Sequence, residues 1–471
     1  MILHPALLAF VVLYLGGTLC IGWWSSRKVI TTSDFALASR QMPLAIVTTE
    51  MFADWFGSET IMGASAQFAE SGFLGVIEDP FGAALCLLLI GLFMARKLYS
   101  LNLRTFSTFF TNRFSKSVGT LSAYLIIPAD LGWVSAQFVA LGYIVSSICP
   151  LSTTQAIIIC AVIVMLYTYV GGMRAIAYTD FIEAIMIILG LGIILFFMVN
   201  KAGGVQNVIA HAPARTFQFF PDLKIKNVVE YFVAWITVGL GSLPQQDVFQ
   251  RIMSAKTQRI AVRGAIIACF MYLTFALMPL FITLIGKQLY PNLLDVGENA
   301  QNFIPQMVLI HGNLFIQILF FGALISGIMS TSSSGILASS TIIGENLIKP
   351  RLKNITDKQL LLIMRLAVIA FTATCVLIST RFENIYELVG YASGLGLVSL
   401  FTPLVAGLYW KRANSIGAVA SMILGLTVWI VSIKIGTEYP PLFFGFITSI
   451  VSMVVFSLVF NKNFEKQLRN R

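Results

Sequence analysis

Apolar residues fall along this chain in long blocks, without the narrow periodic stripe of a soluble helix or the alternation of an exposed strand. The blocks run at about 5–24, 43–70, 74–95, 118–148, 154–170, 178–200, 228–250, 262–286, 305–345, 360–380, 384–410, 414–434 and 441–461. A helix needs about 20 apolar residues to cross a bilayer, and polar residues collect between the blocks. The pattern therefore predicts an all-α integral membrane protein with about 13 transmembrane helices.

Three blocks depart from plain apolar filling. The second holds Asp54, Trp55, Gly57, Ser58, Glu59, Thr60 and Gly63, with Trp55 and Glu59 at i, i+4 on one helical face. The seventh, five blocks later, holds Gly239, Gly241, Ser242, Pro244, Gln245, Gln246 and Asp247. Paired interruptions at that separation suit a transporter built of two inverted five-helix halves, each opening on a broken helix; Gly and Pro are also common in membrane helices at large. The ninth block carries five successive hydroxyls, Ser330, Thr331, Ser332, Ser333 and Ser334, with no charged residue between Gly312 and Gly344. Ser330, Ser333 and Ser334 share one face. Hydroxyls there gain nothing from lipid, and must face protein, water or an ion. Converging oxygens suit a small hard cation.

Composition sharpens the class. Of 471 residues, 57% are hydrophobic and 11% charged, against roughly 25% charged in soluble domains. The net charge of +10 does not point to nucleic acid, because the basic residues are sorted by side. With the first block starting outside, alternate loops gather Arg27, Lys28 and Arg40; Arg96, Lys97, Arg104, Arg113 and Lys116; Arg174; and Arg251, Lys256, Arg259 and Arg263. Lys349, Arg351, Lys353, Lys358 and Arg365, then Lys411 and Arg412, and finally Lys462, Lys466, Arg469 and Arg471 fall on the same side, 24 of the 31 basic residues in all. By the positive-inside rule that side is cytoplasmic, which puts the N-terminus outside and the C-terminus inside the cell membrane. The first block is too long for a signal core and lacks a basic leader, so it reads as a retained span. The six cysteines show no ligand or disulfide spacing. Polar loops at 201–227 and 287–302, a basic linker at 349–358 and a short tail leave no room for a soluble domain. His4, His211 and His311 receive no role.

Four stretches carry a family resemblance: GGMRAIAYTD from Gly171 to Asp180, PQQDVFQR from Pro244 to Arg251, SGIMSTSSSGILASS from Ser326 to Ser340, and FTPLVAGLYWKRANSIGAVASMILG from Phe401 to Gly425. Together they resemble the sodium/solute symporter family, whose members carry proline, pantothenate, sialic acid, galactose or choline with sodium. The likeness spans Ile46 to Gly425. It implies a LeuT-like core of two inverted five-helix repeats, here 43–200 and 228–410, preceded by one extra helix at 5–24 and followed by two at 414–461 and a cytoplasmic tail at 462–471, all one membrane domain.

The resemblance further implies a sodium site made by the carbonyls of Ala53, Phe56 and Gly327 with the hydroxyls of Ser330 and Thr331. Unwound backbone can supply such carbonyls. Some members hold a second sodium, which would here use Asp180, Ser333 and Ser334; choline-type members have an aspartate where Ser333 stands. Asp180 could instead pair with Arg174 at the membrane edge. Trp55 and Trp133 match tryptophans of the choline-type aromatic cage, which suits a quaternary ammonium through cation–π attraction; each could also be a packed aromatic. The cage tryptophan expected on the seventh block is replaced by Gln245, beside Gln246 and Asp247, so a polar wall favours a carboxylate, amide or hydroxyl on the solute. Glu59 and Thr60 complete the expected pocket, with Glu59 either facing solute or bonded to nearby backbone. Intramembrane acids are costly, which marks Asp54, Glu59 and Asp130 as well. Arg251 and Gln250 read as structural residues ending the seventh block at the cytoplasmic face.

These features predict sodium-coupled symport of a small organic solute, cationic or polar, with one or two Na+ per cycle. Sodium would bind first and order the unwound helix for the solute. Proton coupling through Asp180 or Glu59, or a sensor or channel on the same fold, are the alternatives. No nucleophile–His pair or metal cluster supports an enzyme.

Overall fold

The computed structural model describes residues 5–291, 300–382 and 384–460. His4, part of the 287–302 loop and the expected tail at 462–471 lie outside the described residues. The chain is a stack of helices: α1 (Pro5–Ser26), α2 (Leu44–Trp55), α3 (Ala64–Ser71), α4 (Lys116–Ile148), α5 (Thr153–Lys201), α6 (Ile225–Gly241) and α7 (Gln246–Ser254). Then follow α8 (Gln258–Leu289), α9 (Leu314–Ile342), α10 (Asp357–Ser379), α11 (Ile385–Leu395), α12 (Ser415–Ile435) and α13 (Pro441–Val459). Among the described residues, ten continuous helical stretches are long and apolar enough to cross a membrane. Their outward faces carry bare apolar side chains, such as Leu189, Phe196 and Phe270, as lipid contact requires.

The predicted fifth and sixth blocks join into α5, whose 49 residues would span about 74 Å at 1.5 Å per residue. That is more than twice a bilayer core of about 30 Å. The helix breaks at Gly172, where φ is 52° and ψ is −150°. The turn belongs to glycine, because a Cβ there would also meet the Phe35 backbone oxygen at 2.6 Å.

Both expected interruptions are real breaks. α2 stops at Trp55, Phe56 takes φ −96° and ψ 61°, and helical structure resumes through a π turn at Glu59–Gly63 before α3. Trp55 and Glu59 therefore do not share a regular helical face. α6 ends at Gly241, and an extended Gln245 (φ −76°, ψ 141°) leads into α7. Around these breaks α9 packs chiefly on α5 and α4, α8 packs on α2, and α7 touches α2 and α9. The serine run of α9 thus ends up at the centre, between both broken helices and α5.

Candidate functional site

All five hydroxyl residues from Ser330 to Ser334 are buried in protein, away from lipid. The Thr331 hydroxyl reaches the Asp54 carbonyl at 2.9 Å and the carbonyl of Gly327 at 3.2 Å. Gly327 lies so close to the break that a Cβ would sit 2.3 Å from the Phe56 carbonyl oxygen. The Phe56 N–H turns back to the Ala53 carbonyl at 3.2 Å, so the regular ladder is lost here. Ser330 donates to Asp180 Oδ1 at 2.6 Å, while Ser333 and Ser334 both turn their hydroxyls to the Ser330 carbonyl, at 2.9 and 2.8 Å. Hydroxyls, carbonyls and one carboxylate from α2, α5 and α9 converge, an all-oxygen donor set that suits a hard monovalent cation. The backbone of Asp54, absent from the expected ligands, meets Thr331 directly, whereas Ala53 sits one residue back.

Arg251 departs most from expectation. It lies fully buried beside the serine run. Its Nη2 stands 2.9 Å from Asp54 Oδ1 and 3.5 Å from Asp180 Oδ2 and donates to Ser334 Oγ. Its Nε donates to the Glu50 carbonyl at 2.9 Å and its Nη1 to the Asp247 carbonyl at 3.3 Å. Asp54 Oδ1 and Asp180 Oδ2 meet the guanidinium by charge, without hydrogen-bond alignment. The salt-bridge partner of Asp180 is thus Arg251, and Arg174 forms no ion pair among the described residues. The signal for Arg251 was in PQQDVFQR, but the carboxylates it pairs with, Asp54 and Asp180, are distant in sequence.

A second polar cluster joins the break in α2 to α4. Trp55 and Trp133 face each other edge to face, with ring centroids 6.2 Å apart and planes at 70°. One turn along α4, Gln137 donates to Glu59 Oε2 at 2.8 Å and accepts from Ser58 N–H at 2.9 Å. Thr60 shares a hydrogen bond with the Tyr272 hydroxyl at 2.7 Å and donates to the Trp55 carbonyl at 3.2 Å; Tyr272 in turn donates to Asp79. Several buried polar atoms of this cluster have no hydrogen-bond partner: Glu59 Oε1, Asp79 Oδ2 and Trp133 Nε1. The Gln245 Oε1 is likewise unpartnered. Gln137, Asp79 and Tyr272 were not singled out in the sequence, although Gln137 stands at i+4 from Trp133 and Asp79 is an acid within an apolar block.

Gln246 belongs elsewhere. Its Oε1 accepts from Phe106 N–H at 2.8 Å and its Nε2 donates to the Arg104 carbonyl at 3.1 Å. Its amide fastens the chain ahead of the short helix Phe106–Arg113 to α7, where the sequence reading expected a solute contact. Asp130 accepts from Ser339 at 2.6 Å, and Gln250 donates to Thr341 at 3.1 Å, both between helices. A cavity of about 700 Å³ lined by residues such as Glu70, Arg215, Asp222, Glu230 and Lys287 opens beyond α3. It shares no lining residue with the Trp55–Gln137 cluster.

Residues 35–425 match the sodium:solute symporter family. The high-affinity choline transporter 1 of Torpedo marmorata is 29% identical over 90% of this chain and 76% of its own length. The osmoregulated proline transporter OpuE of Bacillus subtilis (strain 168) is 26% identical over 95% of this chain and 93% of its own. Among solved structures, a Na+-coupled sialic acid symporter in a substrate-bound outward-open state superposes with a TM-score of 0.84 at 18% identity, covering 96% of this chain and 97% of the other. A nucleobase-cation-symport-1 family transporter, Mhp1, does so at 0.58 and 14% identity, covering 91% of this chain and 94% of the other. The fold is therefore LeuT-like. With oxygen atoms gathered from a broken helix and the serine run, this multi-pass membrane chain belongs to the sodium:solute symporter family.

Proposed function

We propose that this sodium-coupled symporter carries a small organic cation, an ammonium compound of the choline type. The observation that supports this most is the pairing of Trp55 and Trp133 beside two buried carboxylates, Glu59 and Asp79, each with one unpartnered oxygen. Aromatic faces attract a cation through the ring quadrupole, and buried carboxylate oxygens lacking donors are costly unless a cation or proton meets them. Gln245 Oε1 is a further buried acceptor without a partner, of a kind suited to a hydroxyl or N–H. The choline transporters among the relatives agree with this chemistry.

Sodium, as co-substrate, binds to Ser330, Thr331 and the carbonyls of Phe56, Gly327 and Ala53 or Asp54. It fixes the break between α2 and α3, and that same break positions Trp55 and Glu59. Ion and solute therefore favour one conformation, and each raises the affinity of the other. Thirteen passages follow when α5 counts as two spans, each interrupted helix as one, and the helical stretch at 77–100 as a further one. The basic loops face the cytoplasm, with the N-terminus outside, in the cell membrane.

Purified protein in proteoliposomes should accumulate radiolabelled choline or a related ammonium under an inward sodium gradient. Uptake should fall to the background of empty vesicles when potassium replaces sodium. Sodium-driven uptake of a neutral or zwitterionic solute with no competition by ammonium compounds would overturn the solute assignment. Uptake that ignores sodium but follows a proton gradient would overturn the coupling assignment.

A further inference from the structure

The resemblance drawn from sequence allows a second sodium at Asp180, Ser333 and Ser334. The structure already places a positive charge there. Both carboxylate oxygens of Asp180 are engaged, Oδ1 by Ser330 and Oδ2 by the Arg251 guanidinium 3.5 Å away. Ser334 Oγ accepts from the same Nη2, and the Ser333 hydroxyl is turned to its own helix at the Ser330 carbonyl. A sodium bound by Asp180 and Ser334 would lie against a guanidinium nitrogen in a region of low dielectric, where like charges repel strongly.

We infer that Arg251 is a tethered substitute for the second sodium, so that one sodium accompanies each solute. The inference rests on the sodium-coupled reading of the neighbouring Ser330–Thr331 site. An arginine keeps its charge at any accessible pH. Here two backbone carbonyls, of Glu50 and Asp247, hold the group from α2 and α7, the two half-helices of the breaks. Its free edge meets Asp54, Asp180 and Ser334. The charge that an ion would bring from solution is thus built into α7. It joins the two broken helices to α5 and α9 without crossing the membrane.

The test counts ions at equilibrium. Purified protein in detergent, titrated with ²²Na+ without solute, should bind one sodium per chain. Thr331→Ala should lose that binding, with affinity falling at least tenfold, while Ser334→Ala should keep it within about twofold. Arg251→Gln, if recovered as monodisperse protein, should bind two, because Asp180 and Ser334 are then released. Two sodium ions in the parent, or loss of the single ion in Ser334→Ala with retention in Thr331→Ala, overturns the inference. So does a folded Arg251→Gln that still binds only one. No sodium binding in the parent overturns the coupling itself, and this inference with it. Should Arg251→Gln fail to fold, the parent count and the other two variants decide the matter.

Discussion

Ser330 and Thr331 are neighbours in sequence yet address different partners, because successive residues on a helix point about 100° apart. Thr331 turns to the broken helix and Ser330 to Asp180. The hydroxyl run was legible in sequence because only protein, water or an ion satisfies it at that depth. Arg251 was not, since Asp54, Asp180 and Ser334 all lie more than 70 residues away in the chain. Gln246 shows the opposite failure. Its amide stands beside the replaced cage position in sequence, but both its ends bond to the backbone at Arg104 and Phe106. For the solute, one aromatic face matters most. Removing it in Trp133→Ala should cost about 0.5–2 kcal/mol, raising the KM for the ammonium solute about 2- to 30-fold. Sodium binding measured without solute should stay unchanged, and a variant that loses sodium instead would show Trp133 to be a packing residue.

At the scale of the element, the break between α2 and α3 is where the proposed sodium and solute contacts meet. Gly57, Ser58 and Gly63 announced an interruption, but the sequence could not say that the helix stops at Trp55 and restarts on a π turn at Glu59. That detail decides the site, since it separates Trp55 and Glu59 from a common helical face and sets each opposite its own α4 partner, Trp133 and Gln137. α9 approaches the break through Gly327, where a Cβ would come within 2.3 Å of the Phe56 oxygen. Gly327→Ala should therefore displace that carbonyl, at a cost of about 1–3 kcal/mol for overpacking. The expected signs are a lower Tm and a sodium activation curve moved to higher concentration by about tenfold. A curve that stays in place would remove Phe56 from the ligand set.

For the whole molecule, charge per cycle is the decisive quantity. On the proposed stoichiometry, one sodium and one cationic solute would carry two charges inward, and each charge gains about 2.3 kcal/mol in a 100 mV inside-negative potential. Together that is about 4.6 kcal/mol, or roughly three orders of magnitude in the limiting accumulation ratio. Currents and tracer flux measured together in proteoliposomes should give two positive charges per solute. Three would require a second sodium, and one would mean a neutral solute with a single ion.

The sequence alone determined what depends on composition and local order: a membrane chain of many helices, two interrupted helices five blocks apart, an oxygen-rich stretch that lipid cannot satisfy, and motifs that name the family. Each is written within a few tens of residues, where hydropathy and backbone preference act. Which oxygens meet, and which charge compensates Asp180, only the tertiary structure decided. The hydroxyl contact to the broken helix fell on the Asp54 carbonyl and the compensating charge on Arg251, because close packing among distant helices fixes such contacts and local sequence carries no record of them.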